Sequence, residues 1–126
     1  MGKHILIIDD DDDLVEALMI ILEAKNYNVT RSSNGKEGIE SLKHHIPDLI
    51  VLDIMMDSMD EGINIAREIK RQEQWKHIPI IGMSAINNEF PCEIDSDNEM
   101  FPVDSFLEKP VSPGTFIAEI EKLIKA

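Results

Sequence analysis

The chain has 126 residues, the length of one domain, and with 43% apolar residues it can bury a core. Twelve basic against 25 acidic residues give a formal net charge of −13, which argues against binding to nucleic acid or to anionic lipid, since both need clustered Lys and Arg. No apolar run approaches the ~20 residues that span a bilayer, and the start of the chain lacks a signal peptide's apolar core. The single Cys92 excludes an internal disulfide and fits a reducing compartment. Together with the chain length, this predicts one cytoplasmic domain over residues 1–126.

Short apolar runs predict the strands. The unbroken runs at residues 5–8, 49–52 and 78–81 suit strands that are covered on both faces, as in a parallel sheet. Weaker patterns at residues 28–31 and 105–107 predict two further strands.

The segments between these strands carry helical patterns, in which apolar residues recur on one face and capping residues mark the start. Four helices are predicted in this way: one that starts with the acids at 11–13, one over 36–44 with Ser33 or Asn34 as its N-cap, one over 61–71, and one that opens at Pro113 after the cap Ser112. The last helix carries one apolar stripe, formed by Ile117, Ile120 and Ile124.

Strand–helix alternation along the chain predicts an α/β fold, with a parallel sheet between two layers of helices. Five strands suit the doubly wound, flavodoxin-like order 2-1-3-4-5. Residues 77–108 depart from the pattern, because they contain seven acids and no Lys or Arg and are interrupted by Pro91 and Pro102. We expect the helix between the fourth and fifth strands to be short, distorted or mobile, and this acidic segment to favour a basic protein partner.

Acidic residues follow two strands that the predicted order makes neighbours. Asp9 and Asp10 follow the first strand, and Asp53 follows the third. In a doubly wound sheet, ligands bind beyond the carboxyl ends of the strands at this position. Carboxylates this close repel one another unless a cation intervenes, and Mg²⁺ prefers a few carboxylates with water and phosphate oxygens. The sequence therefore predicts a Mg²⁺ site here, whereas the acids at 11–13 are interpreted as helix-capping residues.

Two more polar residues follow strands at the same edge. Ser84 ends the fourth strand, and Lys109 follows the fifth as the only basic residue between Lys76 and Lys122. A carboxylate nucleophile, a metal, a hydroxyl and an amine together are suited to phosphoryl transfer.

With these residues in place, the chain resembles the receiver domain of two-component response regulators, over roughly residues 3–125. The resemblance rests on four segments taken jointly and in order: IIDD at 7–10, PDLIVLDIMM at 47–56, IIGMSA at 80–85 and FLEKP at 106–110. It implies a signalling switch rather than an enzyme that acts on other substrates.

The resemblance also implies roles for the acidic residues. Asp53 would be the phosphoacceptor, which takes a phosphoryl group from the phosphohistidine of a sensor histidine kinase or a phosphotransfer protein. Asp10 and Asp53 would bind Mg²⁺ directly, Asp9 through water, and Met55 through its backbone carbonyl.

Three further positions match the family. Lys109 would pair with the phosphoryl oxygens, and Ser84 would hydrogen-bond to the phosphoryl group. Phe106 matches the aromatic switch position, whose ring turns inward once the hydroxyl moves. The output would be an altered contact with a downstream protein.

One segment departs from the family. Many receivers carry Met-Pro-x-Met-Asp-Gly after the acceptor, whereas residues 56–62 read MDSMDEG, with Asp57 in the place of Pro and one residue more. A degenerate receiver that binds its partner without phosphorylation therefore stays an alternative. Another is a haloacid-dehalogenase-type phosphatase, whose motif is Asp-x-Asp-x-Thr/Val. Asp9 and Asp11 fit this motif, although Asp13 occupies its Thr/Val position. We expect a stand-alone receiver, or else a segment of a longer regulator.

The remaining candidates are interpreted as structural. Trp75 is expected to pack in the core rather than to bind a partner. His44, His45 and His77 have no partner at metal-binding spacing, so no histidine metal site is expected.

Overall fold

A computed structural model describes residues 3–54, 59–84, 103–108 and 112–125, with the backbone alone for residues 59–61, 84 and 125. Within these residues five parallel strands form one sheet: β1 (His4–Ile8), β2 (Asn28–Ser32), β3 (Leu49–Asp53), β4 (Ile80–Ser84) and β5 (Ser105–Glu108). Their order is β2-β1-β3-β4-β5, so the predicted doubly wound fold is confirmed.

The fourth strand begins two residues later than the apolar run predicts, at Ile80 rather than at residue 78. The amide of Ile78 donates to the carbonyl of Trp75 at 3.0 Å, in the turn before the strand. Pro79 has no N–H, so it joins the ladder only through its carbonyl, which accepts from the amide of Ile50 at 3.0 Å. The turn and the proline together delay the start of the strand.

The described residues contain four helices: α1 (Asp12–Glu23), α2 (Gly35–His44), α3 (Met59–Arg71) and α4 (Pro113–Lys125). Asn34, rather than Ser33, caps α2, since its side-chain oxygen accepts from the amide of Glu37 at 2.9 Å. The helix expected between β4 and β5 lies outside the described residues. Among the described residues, none of the helices has the length and apolarity that a membrane span needs.

Alternate residues of the strands face two separate helical layers. Ile5 and Ile7 pack with the buried faces of α1 and α4, whereas Leu6 and Ile8 pack with α2 and α3. All four side chains are almost completely buried. Burial of each one stabilises the fold by about 1.5–3 kcal/mol, which explains why the central strands are continuously apolar.

The core contains residues that the sequence patterns placed correctly and one that they missed. Trp75 is 4% exposed and packs beside α3, so its predicted packing role is confirmed. In α4 the predicted apolar stripe is Ile117, Ile120 and Ile124, but Phe116 is also completely buried while Ile124 is only partly so. The bulky ring of Phe116 packs in the cluster that α1 and α4 form against the sheet.

An ion pair joins the end of α3 to the start of β5. The Nζ of Lys70 donates to Asp104 Oδ2 at 2.9 Å and to the carbonyl of Ile78 at 3.1 Å. The same carboxylate oxygen accepts from the amide of Ile80 at 2.8 Å. These contacts fix the approach to β5, and with it Phe106 two residues further on.

At its start, α3 lies directly against the backbone that follows β3. A Cβ added at Gly62 would lie 2.6 Å from the carbonyl oxygens of Asp53 and Ile54, and closer still to the Cα of Ile54. The helix can approach the end of β3 this closely only because residue 62 has no side chain.

We therefore expect Gly62→Ala to lower the free energy of unfolding by about 2 kcal/mol or more, because neither the helix nor the strand can yield easily. The matched control is Gly114→Ala in α4, where an added Cβ meets nothing within 4 Å. That change should leave stability unchanged or raise it by up to about 1 kcal/mol. Urea unfolding of both variants measures the difference, and equal effects would contradict the close approach.

The opposite, amino edge of the sheet holds two histidines that the sequence did not connect. The rings of His4 and His45 meet edge to face with their centroids 4.2 Å apart, beside a cavity of about 570 Å³. His4 Nε2 lies 2.6 Å from Thr30 Oγ1, and the His4 amide donates to Asp48 at 2.8 Å. Within the described residues, the buried Nδ1 of His4 has no hydrogen-bond partner. Burial lowers the pKa of His4 below its usual 6.5; His45 lowers it further, and Asp48 opposes both.

This lowered pKa makes the stability of the fold depend on pH. Between the folded pKa and 6.5, the unfolded chain takes up a proton at His4 that the folded chain does not. Stability should therefore fall as the pH drops below about 6.5. We expect His4→Gln to make the unfolding free energy less dependent on pH in urea titrations between about pH 7 and 5. The exposed His77 provides the control variant His77→Gln, and an equally steep dependence in both variants would contradict the assignment.

Candidate functional site

Three carboxylates meet at the carboxyl edge of the sheet. One oxygen from each of Asp9, Asp10 and Asp53 lies within 4.8 Å of the others, and in the described part of the chain this is the one such group suited to a metal ion. The cause is the pairing of β1 with β3, which places Ile8 opposite Leu52. Asp9 and Asp53 follow these two residues and so lie side by side. The predicted convergence of the acids is present in the structure.

The backbone fixes two of the three acids. The amide of Asp9 donates to the carbonyl of Ser32 at 3.0 Å, which extends the β1–β2 ladder by one residue. Asp53 pairs with Met83 of β4. Asp9 and Asp53 are 2% and 5% exposed, whereas Asp10 is exposed. The site therefore has a rigid, buried side and one side that is open to solvent.

The donor set fits Mg²⁺. Ligands about 2.1 Å from an octahedral ion lie about 3–4 Å apart, so oxygens that already lie within 4.8 Å of one another need only small shifts. Carboxylate oxygens are the ligands that this hard cation prefers, and the solvent-open side leaves positions for water or for a phosphate group. Two carboxylates this close together repel each other, and a bound cation would relieve that repulsion.

The acids after Asp10 serve the start of α1, as predicted. Asp11 is the N-cap, with its side chain accepting from the amide of Leu14 at 3.2 Å. Asp12 and Asp13 lie in the first turn, where the helix dipole favours negative charge. The amide of Asp11 also donates to Asp9 Oδ1 at 2.9 Å, so the turn into the helix orients a carboxylate of the site.

Arg31 is a site residue that the sequence patterns did not indicate. Its Nε and Nη2 donate to the backbone carbonyl of Asp9 at 3.1 and 3.0 Å, and its Nη2 pairs with Asp12 Oδ1 at 2.7 Å. The predicted strand order could have indicated Arg31, because it places the end of the second strand beside the end of the first. A basic residue there lies next to the acids.

Other predicted residues are placed only in part. Ser84 is the last residue of β4, opposite Glu108 at the same edge of the sheet, and its side chain lies outside what the structure describes. Phe106 pairs with Gly82, and its half-buried ring packs against the core under α2 and α3. Lys109 and Met55 lie outside the described residues, as does Asp57.

Comparison with known proteins agrees with this geometry. The family model of the response regulator receiver domain matches residues 5–121. The chain is 30% identical over 125 residues to the alkaline phosphatase synthesis transcriptional regulatory protein PhoP of Bacillus subtilis, covering 99% of this chain and 50% of PhoP. It is 35% identical over 121 residues to the response regulator SaeR of Staphylococcus aureus, covering 96% of this chain and 50% of SaeR. The chain thus spans about half the length of the curated relatives it matches.

A solved structure shows the same fold. The receiver domain of the sensor histidine kinase PA1611 from Pseudomonas aeruginosa, with a magnesium ion coordinated in its active site cleft, superposes with a TM-score of 0.85 over 100% of both chains at 23% identity. The match of the family model over residues 5–121, together with the fold and the order of its strands, shows that the chain belongs to the response regulator receiver domain family of two-component signalling.

Proposed function

We propose that the chain is a phosphorylation switch, in which Asp53 accepts a phosphoryl group in a Mg²⁺-dependent transfer from the phosphohistidine of a sensor histidine kinase or a phosphotransfer protein. The observation that carries this proposal is the meeting of Asp9, Asp10 and Asp53 at the carboxyl edge of a receiver fold. We place the reaction in the cytoplasm, where kinases have access to ATP and Mg²⁺.

Asp53 is the nucleophile in this proposal because the end of β3 holds it in one position, with its neighbours fixed by two ladders. A carboxylate oxygen of Asp53 attacks phosphorus, and the new O–P bond forms as the P–N bond of the phosphohistidine breaks. The imidazole keeps the proton on its other nitrogen and leaves as a neutral ring.

Asp9 and Asp10, with Asp53 and the backbone carbonyl of Met55, would hold Mg²⁺, which when bound offsets the negative charge of the phosphoryl oxygens. The buried Asp9 is oriented by the amide of Asp11. The magnesium ion in the cleft of the PA1611 receiver supports this assignment.

The response to phosphorylation is assigned to Ser84 at the end of β4, to Phe106 in β5 and to Lys109 after β5. Lys109 would neutralise the phosphoryl oxygens, and the hydroxyl of Ser84 would donate to them. Phe106 of β5 pairs with Gly82, two residues before the end of β4, so a movement of the β4 end would reach it through the strand pairing. We propose that the altered face binds a downstream protein and, because residues 77–108 carry seven acids and no Lys or Arg, that this partner is basic.

We expect one phosphoryl adduct per chain when the protein is incubated with Mg²⁺ and acetyl phosphate, and none in Asp53→Asn or with a chelator present. Intact-mass spectrometry measures the adduct, and its stability in acid and lability in base identify an acyl phosphate. Asp13→Asn is the matched control, since it removes the same charge from an exposed residue of the first turn of α1 and should keep the adduct.

Two results would overturn the proposal. An adduct that maps to Asp9 would assign the chemistry to a phosphatase-type nucleophile after β1. The absence of both an adduct and Mg²⁺ binding would identify a degenerate receiver that acts as a binding module.

A further inference from the structure

One cationic side chain reaches the peptide that links two acids of the site. Arg31 lies on β2 opposite Ile7 of β1, and its side chain is 23% exposed. Two of its N–H groups donate to the carbonyl oxygen of Asp9, which belongs to the peptide between Asp9 and Asp10. The same guanidinium pairs with Asp12 at 2.7 Å. Arg31 therefore holds the β1–α1 connection, residues 9–12, at two points.

The β1–α1 connection needs these stabilising contacts because it carries a high density of negative charge. Residues 9–13 are five consecutive acids, whose mutual repulsion favours a more open arrangement of the loop. The backbone of Asp9 is anchored to Ser32, and its side chain to the amide of Asp11. Asp10 is exposed, and the peptide that carries it is held from the β2 side by Arg31.

The contact pattern requires arginine. A guanidinium is planar and has five N–H groups in a fixed fork, so it can donate to a carbonyl and to a carboxylate at the same time. A lysine at this position would keep the charge, but its compact ammonium group cannot reproduce this geometry.

We propose that Arg31 is a positioning residue for the Mg²⁺ site. Its guanidinium forms a clamp, in which it holds both the carbonyl of Asp9 and the carboxylate of Asp12, and this clamp sets the direction of the Asp10 side chain. The proposal rests on the proposed function, because it takes the three-carboxylate cluster as the Mg²⁺ site. Arg31 acts through the backbone and touches neither the metal nor the phosphoryl group.

Two opposite effects of Arg31 can be told apart by their sign. As a positive charge near the site it would repel Mg²⁺, so that its removal would tighten metal binding. As a clamp it keeps Asp10 ready to bind, so that its removal would weaken metal binding. Loss of a group that orients metal ligands typically lowers metal affinity by 10–100-fold, and we expect about tenfold here because Arg31 holds backbone rather than a ligand atom.

The decisive variant is the double change Arg31→Gln with Asp12→Asn, because it removes the clamp and leaves the net charge of the chain unaltered. We expect its Kd for Mg²⁺, measured by titration calorimetry at fixed ionic strength, to rise about tenfold. Arg31→Lys should fall between this variant and the native chain. The control pair Arg71→Gln with Asp13→Asn removes the same charges from exposed residues outside the clamp and should leave the Kd unchanged.

A kinetic readout separates positioning from a purely structural role. With acetyl phosphate as donor, the double variant should need about tenfold more Mg²⁺ for half-maximal phosphorylation and should reach the native maximal rate at saturating Mg²⁺. Lower resistance to urea with an unchanged Kd for Mg²⁺ would mean that Arg31 supports only the fold, and would overturn the proposal. A reduced maximal rate with unchanged Mg²⁺ dependence would place Arg31 in the phosphoryl step, and would also overturn it.

The remaining outcomes keep this proposal distinct from the proposed function. Tighter Mg²⁺ binding by Arg31→Gln, together with native binding by the double variant, would show that only the charge matters and would overturn the clamp. If the native chain binds Mg²⁺ but gains no phosphoryl group, the proposed function fails and the Kd values still decide the role of Arg31. If the native chain binds no Mg²⁺, both proposals fall.

Discussion

Asp9 and Asp53 lie side by side because β1 and β3 are hydrogen-bonded neighbours whose register places Ile8 opposite Leu52. Parallel strands end at the same edge of a sheet, so an acid that ends or follows each of them is brought to one place. The apolar residues of both strands are buried between two helical layers. A slip of one residue would turn these side chains to the opposite faces and separate the acids. The strand register that buries the apolar side chains therefore also brings the acids of the site together.

Contacts from two directions secure this edge. On one side, Gly62 lets α3 approach the backbone of Asp53 and Ile54. On the other side, Arg31 reaches from β2 to the peptide after Asp9. Both contacts act on the backbone rather than on the carboxylates. The positions of the acids are thus set in part by groups that contact the backbone beside them.

The net charge of −13 is distributed unevenly along the chain, and its parts have different uses. Three acids form the cluster at the carboxyl edge. Asp11 caps α1, and Asp12 and Asp13 lie in its first turn. Asp104 forms a half-buried ion pair with Lys70 that joins α3 to β5. The amino edge of the sheet differs in chemistry, since it brings together two histidines, a threonine hydroxyl and Asp48 around His4. Only the carboxyl edge has the oxygen-rich set that a hard divalent cation prefers, among the residues that the structure describes.

Local sequence patterns were enough to predict the fold class, the strand order and the meeting of Asp9, Asp10 and Asp53, because continuous apolar runs and strand-end acids acquire defined positions in a parallel sheet. The contact of Arg31 with Asp9 could not be predicted in this way, since it depends on where a long side chain ends and joins residues 22 positions apart. The same holds for His4, which meets Asp48 from 44 positions away. It holds also for Gly62, whose role is a close approach between two backbones. Strand pairing follows from periodicity, whereas contacts of this kind follow from side-chain length, burial and distance, which no local pattern encodes.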